Sequence, residues 1–162
     1  LPLLLGSLAL VALLAGCASY GGRGLVPGQS RAGDVEAQMG PPTEKIALAS
    51  GESLWFYLRN PGGRHSYAVR IGADGVVRSV EQRLTVQNVR TLRPGMNARE
   101  VREILGPPWR VAGNIRQGGE VCDYRMYDDR QMDHNLSVGF SADGALREVY
   151  VLRDMVNEPT GM

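Results

Sequence analysis

The chain has little of several things. It holds two cysteines, two histidines and a single lysine, Lys45, in 162 residues. Two cysteines make no disulfide framework, so the fold has to rest on its own hydrophobic core. A formal charge of +1 gives none of the basic footprint that nucleic-acid binding requires. Metal sites need three or four converging ligands, and no Cys or His cluster supplies them. There is no nucleophile elbow, no Ser-His-Asp order and no kinase signature. Gly21-Gly22-Arg23-Gly24 follows no strand, so it reads as a linker and not as a phosphate cradle. These absences argue against an enzyme, a metal and a cofactor. Long apolar runs are scarce too. The run from Leu1 to Ala15 carries no charge, but it is shorter than the roughly 20 residues of a spanning helix.

That run closes on Leu14-Ala15-Gly16-Cys17. Small residues before a scissile bond suit a signal peptidase, and the motif resembles the lipobox of bacterial lipoproteins. The resemblance implies cleavage before Cys17 and acylation of its thiol and amino group. Each buried CH₂ contributes about 0.8 kcal/mol, so two or more acyl chains make a stable anchor. A non-lipidated secretory signal is the alternative. Cys122 then has no disulfide partner. It lies in a strand-like pattern and reads as a small buried hydrophobe; a reactive thiol or an intermolecular disulfide is the other option.

What the chain does have is a repeat. Pro27-Gly28 matches Pro94-Gly95, Asp34-Val35 matches Glu100-Val101, and Met39-Gly40-Pro41-Pro42 matches Leu105-Gly106-Pro107-Pro108. Ala73-Asp74-Gly75-Val76-Val77-Arg78 matches Ala142-Asp143-Gly144-Ala145-Leu146-Arg147. A period above 50 residues exceeds most solenoid repeats and points to a duplicated domain. In the second copy Asn97 and Glu100 form a capping box. Met96, Val101, Ile104 and Leu105 give one apolar helical face. Gly106 suits a C-cap, and Pro107-Pro108 forbids further helix. In the first copy Ser30 is the expected cap. Leu54–Leu58 is apolar enough for a strand covered on both faces, and Tyr67, Val69 and Ile71 alternate as in a half-buried strand. Asp74-Gly75 and Asp143-Gly144 are expected two-residue turns. The fold class is therefore α+β: two tandem units, each a short helix on an antiparallel sheet of about three strands. The expected divisions are a signal peptide at 1–16, a tether at 17–25, a first unit at 26–83, a linker at 84–92, a second unit at 93–153 and a tail at 154–162. Val86, Val89 and Leu92 allow a helical turn in the linker.

Leu92-Arg93-Pro94-Gly95-Met96-Asn97, Val101, Leu105-Gly106-Pro107-Pro108 and the Asp143-Gly144 hairpin resemble the SmpA/OmlA (BamE-like) family of outer-membrane lipoproteins. The tandem arrangement is similar to that of the β-lactamase inhibitory protein. The family resemblance implies a non-enzymatic, lipid-anchored protein on the periplasmic side of the outer membrane. Its partners would be envelope proteins, the β-barrel assembly machinery among them, with membrane contact through the lipid and no nucleic acid. The tandem resemblance implies an alternative, an inhibitor or sensor that clamps an enzyme.

His65 and His134 occupy matching positions. They are either metal ligands across the repeat interface or polar residues preserved by duplication, and the shortage of other ligands favours the second. Asp123, Asp128, Asp129 and Asp133 lack calcium-loop spacing and read as a solvated hairpin with local ion pairs. The aromatic residues Trp55, Phe56, Tyr57, Tyr67, Trp109, Tyr124 and Tyr127 are the better candidates, because alternate strand positions face opposite ways and two small cores cannot hide them all. Trp55, Tyr57, Tyr67, Tyr124 and Tyr127, with Arg125, are the expected binding residues, on a sheet face opposite the helices. Cys17 is the expected lipidation site.

Overall fold

The matched sequence blocks fold into matched devices. In the computed structural model, which describes residues 21–59, 64–113 and 118–153, the chain entering each helix lies against the returning strand of its own unit. Gly28 N–H donates to the Val77 carbonyl (2.8 Å) and Val77 N–H to the Ser30 carbonyl (2.8 Å). Gly95 N–H donates to Leu146 (2.9 Å) and Leu146 N–H to Met96 (2.7 Å) in the same way. The expected signal peptide, Cys17 and the tail lie outside the described residues.

The elements are α1 (Ala32–Met39), β1 (Glu44–Ala47), β2 (Ser53–Leu58), β3 (Ser66–Ile71), β4 (Val77–Gln82), α2 (Val86–Val89), α3 (Ala98–Leu105), β5 (Arg110–Gly113), β6 (Glu120–Tyr127), β7 (Asp133–Phe140) and β8 (Leu146–Arg153). They form an α+β fold with two antiparallel four-stranded sheets, ordered β1-β2-β3-β4 and β5-β6-β7-β8. The sequence suggests about three strands per sheet. The additional ones, β1 and β5, are four residues long and follow the proline pairs, too short to show a period.

Local chemistry sets the boundaries. Asn97 Oδ1 accepts from Glu100 N–H (3.0 Å) while Glu100 Oε2 accepts from Asn97 N–H (2.8 Å), the expected capping box. Ser30 does not cap α1. The residue at that place is Arg31, whose N–H is held by Asp34 Oδ2 (2.7 Å), because bridging of Arg31 to Val76 draws Ser30 into the extended segment. The hairpin turns have three residues, not two. Ser141 N–H donates to Ala145 and Gly144 N–H to Ser141, with Gly144 at φ 79° and a register shift at Gly139/Phe140. Gly75 at φ 76° and the shift at Arg70/Ile71 repeat this in the first unit. This is the type I turn with a left-handed bulge residue, for which glycine is favoured.

The layers are the main result. Helix α1 supplies Val35 and Met39 to a core with Tyr57, Val69, Ile71 and Val77 on one face of the first sheet. The other face, with Ile46, Leu54, Phe56 and Ala68, lies under the back of α3. There Arg99 Nη2 donates to the Ala47 carbonyl (2.6 Å), Arg102 pairs with Glu44 (3.4 Å), and Gly106 abuts Phe56 and Ser66. The front of α3 sends Val101 and Leu105 into the second core, among Cys122, Tyr124, Met126, Leu136, Val138 and Phe140. The order is thus α1, first sheet, α3, second sheet, with one helix shared by two sheets. Leu84, Leu92, Val86 and Val89 also join the second core, so the expected linker is part of it. Each such apolar side chain contributes about 1.5–3 kcal/mol when fully buried. Part of the expected tether is packed as well: Leu25 is buried, Gly22 lies against Val80 and Met39, and Gln38 Nε2 donates to the Arg23 carbonyl.

Candidate interaction surface

The outer face of the second sheet has no element packed over it among the described residues, and the repeat explains why it stays in water. Phe56 lies opposite Ala68 in the first sheet. The same place in the second sheet holds Asp123 opposite Ser137. Leu58, which reaches the second core, is replaced by Arg125. A face that receives the next unit's helix in the first copy is polar in the second.

At the centre of this face Asp123 is nearly buried. Arg110 donates to its Oδ2 from Nε (2.9 Å) and Nη2 (2.6 Å), and Ser137 Oγ donates to Oδ1 (2.7 Å). Trp109, 39 % exposed, is held by its N–H on the Asp123 carbonyl (3.0 Å). Its ring lies between two guanidiniums, Arg125 at 4.7 Å and Arg110 at 5.4 Å. Such contacts are worth about 0.5–1 kcal/mol at exposed sites and more when desolvated. Arg125 Nε is buried without a hydrogen-bond partner. Two residues on along β6, Tyr127 lies under Arg64 (5.5 Å) and against the His65 ring (5.8 Å), which stacks on Tyr67 (5.9 Å). Arg64 also pairs with Asp133. Arg125 and Tyr127 therefore lead from the Trp109 cluster to the contact between the units.

The expected aromatic set does not share one surface. Tyr57 and Tyr124 are each 1 % exposed and are corrected to core residues. Their hydroxyls donate to the carbonyls of the helix-ending glycines, Gly40 (3.2 Å) and Gly106 (3.3 Å). Burial, with the Glu36 charge second, pushes the Tyr57 hydroxyl up to about 12 against the opposing pull of Arg59. Burial raises that of Tyr124 further. Trp55 is half-buried on the α1 side of the first sheet, beneath Lys45 Nζ at 3.6 Å. Tyr67 is half-buried on that same side, with Gly21 against its ring. Only Arg125 and Tyr127 of the set lie on the outer face. Trp109, Arg110 and Asp123 complete it: Trp109 is one of the candidate aromatics left out of the expected binding set, Asp123 is expected only as a solvated carboxylate, and Arg110 is not expected at all. Of the three only Asp123 shows a loss of apolar character between the copies, replacing Phe56; Trp109 stands at the place of Thr43 and Arg110 at that of Glu44.

The remaining candidates separate. His134 Nε2 bonds Asp128 Oδ2 (3.0 Å), whereas His65 stacks between tyrosines. Backbone N–H groups, that of Met132 foremost, hold the Asp128 carboxyl below its usual range. Among the described residues no three His, Cys, Asp or Glu side chains converge as metal ligands, and no helix is long and apolar enough to cross a membrane. Cys122 is buried, and burial raises its thiol pKa.

Residues 82–150 match the outer membrane protein assembly factor BamE domain. No curated protein matches the chain. Among solved structures, one described as a putative osmotically inducible lipoprotein, OsmE, is 23 % identical over 41 % of this chain and 75 % of its own, at a TM-score of 0.38. A DUF4309 family protein (YjgB) from Bacillus subtilis subsp. subtilis str. 168 is 22 % identical over 82 % of this chain and 84 % of its own, at 0.32. The family match begins at the end of β4, takes in α2, α3 and β5–β7, and ends within β8. The second unit of this chain is similar to the BamE domain.

Proposed function

We propose that the protein is a non-enzymatic lipoprotein, anchored through acylated Cys17 to the periplasmic face of the outer membrane, that binds envelope proteins in support of β-barrel assembly or envelope integrity. The observation that carries this reading is the uncovered outer face of the BamE-like unit, where Trp109 sits between Arg110 and Arg125 with Tyr127 beyond. Trp, Tyr and Arg are the residues that dominate interface energies. Acylation supplies the membrane contact that none of the described helices gives.

The test replaces Trp109 and Arg125 singly by alanine and measures capture of barrel-assembly proteins from crosslinked envelopes. Loss of about 2 kcal/mol per anchor would weaken capture roughly 30-fold at an unchanged melting temperature. Undiminished capture, or capture of a hydrolase instead, overturns the reading; the second result would favour the inhibitor alternative. Cys17→Ser should abolish labelling by a fatty-acid analogue, and equal label in both proteins would refute the anchor.

A further inference from the structure

The two edge strands β4 and β8 occupy equivalent places, since Val69 pairs with Val80 and Val138 with Val149. The residues that follow these pairs differ in kind. From Val80 the first unit continues Glu81, Gln82 and Arg83, while from Val149 the second continues Tyr150, Val151 and Leu152. These three are 53 %, 49 % and 63 % exposed. Edge strands are ordinarily blunted by charge, as exposed Glu81, paired with Arg83, blunts β4. The departure in β8 lies at the margin of a sheet whose outer face has otherwise become polar, so it is not explained by the general drift of that face.

The backbone adds a second observation. Residues 95–97 already pair with the start of β8, bonded to Leu146 and joined to Ala145 by an isolated bridge. The chain covers this edge for one position and then leaves it.

We infer that the β8 edge beyond Leu146 accepts an extended strand of another polypeptide, one with apolar residues at alternate positions. Such a strand continues the line of residues 95–97, takes its affinity from main-chain hydrogen bonds, and takes its selectivity from side chains beside Tyr150 and Leu152. A second copy of this chain fits less well. A two-fold axis between antiparallel strands keeps outer face with outer face, which limits the registers. Centred on Tyr150 it aligns Arg147 with Arg153 of the second copy. Centred on Val149 it runs Leu152 onto Leu146, whose backbone is already bonded.

This inference concerns a different surface from the Trp109 cluster and is read separately from capture of barrel-assembly proteins. The test is hydrogen exchange on the whole chain with two synthetic peptides. In one, eight residues alternate valine with threonine; in the other, the same residues form one apolar and one polar block. The alternating peptide should slow exchange of alternate amides in 148–153 at least tenfold, and the block peptide should not. The variant Tyr150→Glu/Val151→Gln/Leu152→Arg installs the first unit's residues at matched places and should weaken binding at least tenfold. Should that variant fail to fold, Leu152→Arg alone provides the comparison. Absence of protection on β8, equal binding by the variant, or a peptide-free dimer protected at this strand would overturn the inference.

Discussion

Gly40 and Gly106 end α1 and α3 in nearly the same backbone state, φ 77°, ψ −167° and φ 86°, ψ −174°. That region is essentially closed to other residues and costs on the order of 1–3 kcal/mol when one is forced into it. A Cβ at Gly40 meets nothing within 4 Å. A Cβ at Gly106 overlaps Ser66 Oγ and comes to 3.0 Å from Phe56, both in the first unit. Gly40→Ala thus reports the backbone cost alone. Gly106→Ala adds overpacking between units, about 1–3 kcal/mol more. Urea unfolding of the two variants should show Gly106→Ala as the worse by that margin. Ser66 Oγ is buried with no hydrogen-bond partner, so Ser66→Ala by itself should cost little. Combined with Gly106→Ala it should restore about 1 kcal/mol, as expected for residues in contact. Equal losses in the two glycine variants, with no rescue by Ser66→Ala, would refute the packing of α3 on the first sheet.

Other outcomes follow from single groups. Asp74 is held below the usual carboxylate range first by Val76 N–H and then by Arg78, and Asp143 first by Ser141 Oγ and then by Ala145 N–H. The stability each adds is complete above about pH 4 and is lost as pH falls through its lowered value, so Asp74→Asn should flatten the acid limb of a urea-midpoint titration. Tyr57, raised to about 12, contributes stability that is present below about pH 10 and fades as pH rises towards the folded value. Tyr57→Phe should remove that alkaline loss and cost about 1 kcal/mol at neutral pH, because the Gly40 carbonyl loses its donor. Cys122 is buried with a raised thiol pKa, so thiol reagents should modify it at the rate of unfolding; rapid labelling of native protein would contradict this. A chain of residues 93–162 leaves the back of α3 bare and should melt well below the whole protein, a comparison that calorimetry makes directly.

The helix ends were legible in the sequence because their chemistry is local. Asn97 with Glu100, and Gly106 before Pro107-Pro108, encode a start and a stop within one turn each. The short strands β1 and β5 were not legible, since four residues after a proline pair display no alternation. Ser30 misled because its rival, the bridge from Arg31 to Val76, is a contact between distant residues. The aromatic site was legible only by half. Alternation places Tyr57 and Trp55 on one face of a strand and Phe56 on the other, and the apolar run Leu54–Leu58 signals cover on both faces, but neither says what supplies the cover. That knowledge needs the position of α3, which belongs to the next unit. Comparison of the copies carries the missing information, since Phe56 giving way to Asp123 marks the face that stays wet.

The sharing of α3 gives the molecule a polarity that neither unit has alone. Among the described residues it runs from a helix that serves one sheet to a sheet over which no helix lies, so the pattern could in principle be extended indefinitely at one end. What stops it is written in a few side chains: a carboxylate, a hydroxyl and a guanidinium at Asp123, Ser137 and Arg125. Restoring the first copy's Phe, Ala and Leu at those places would make the last sheet a receptor for a further helix. Were the proposed anchor to concentrate copies on a membrane, the nearest such helices would belong to neighbours, and the end of the stack would become the start of a filament.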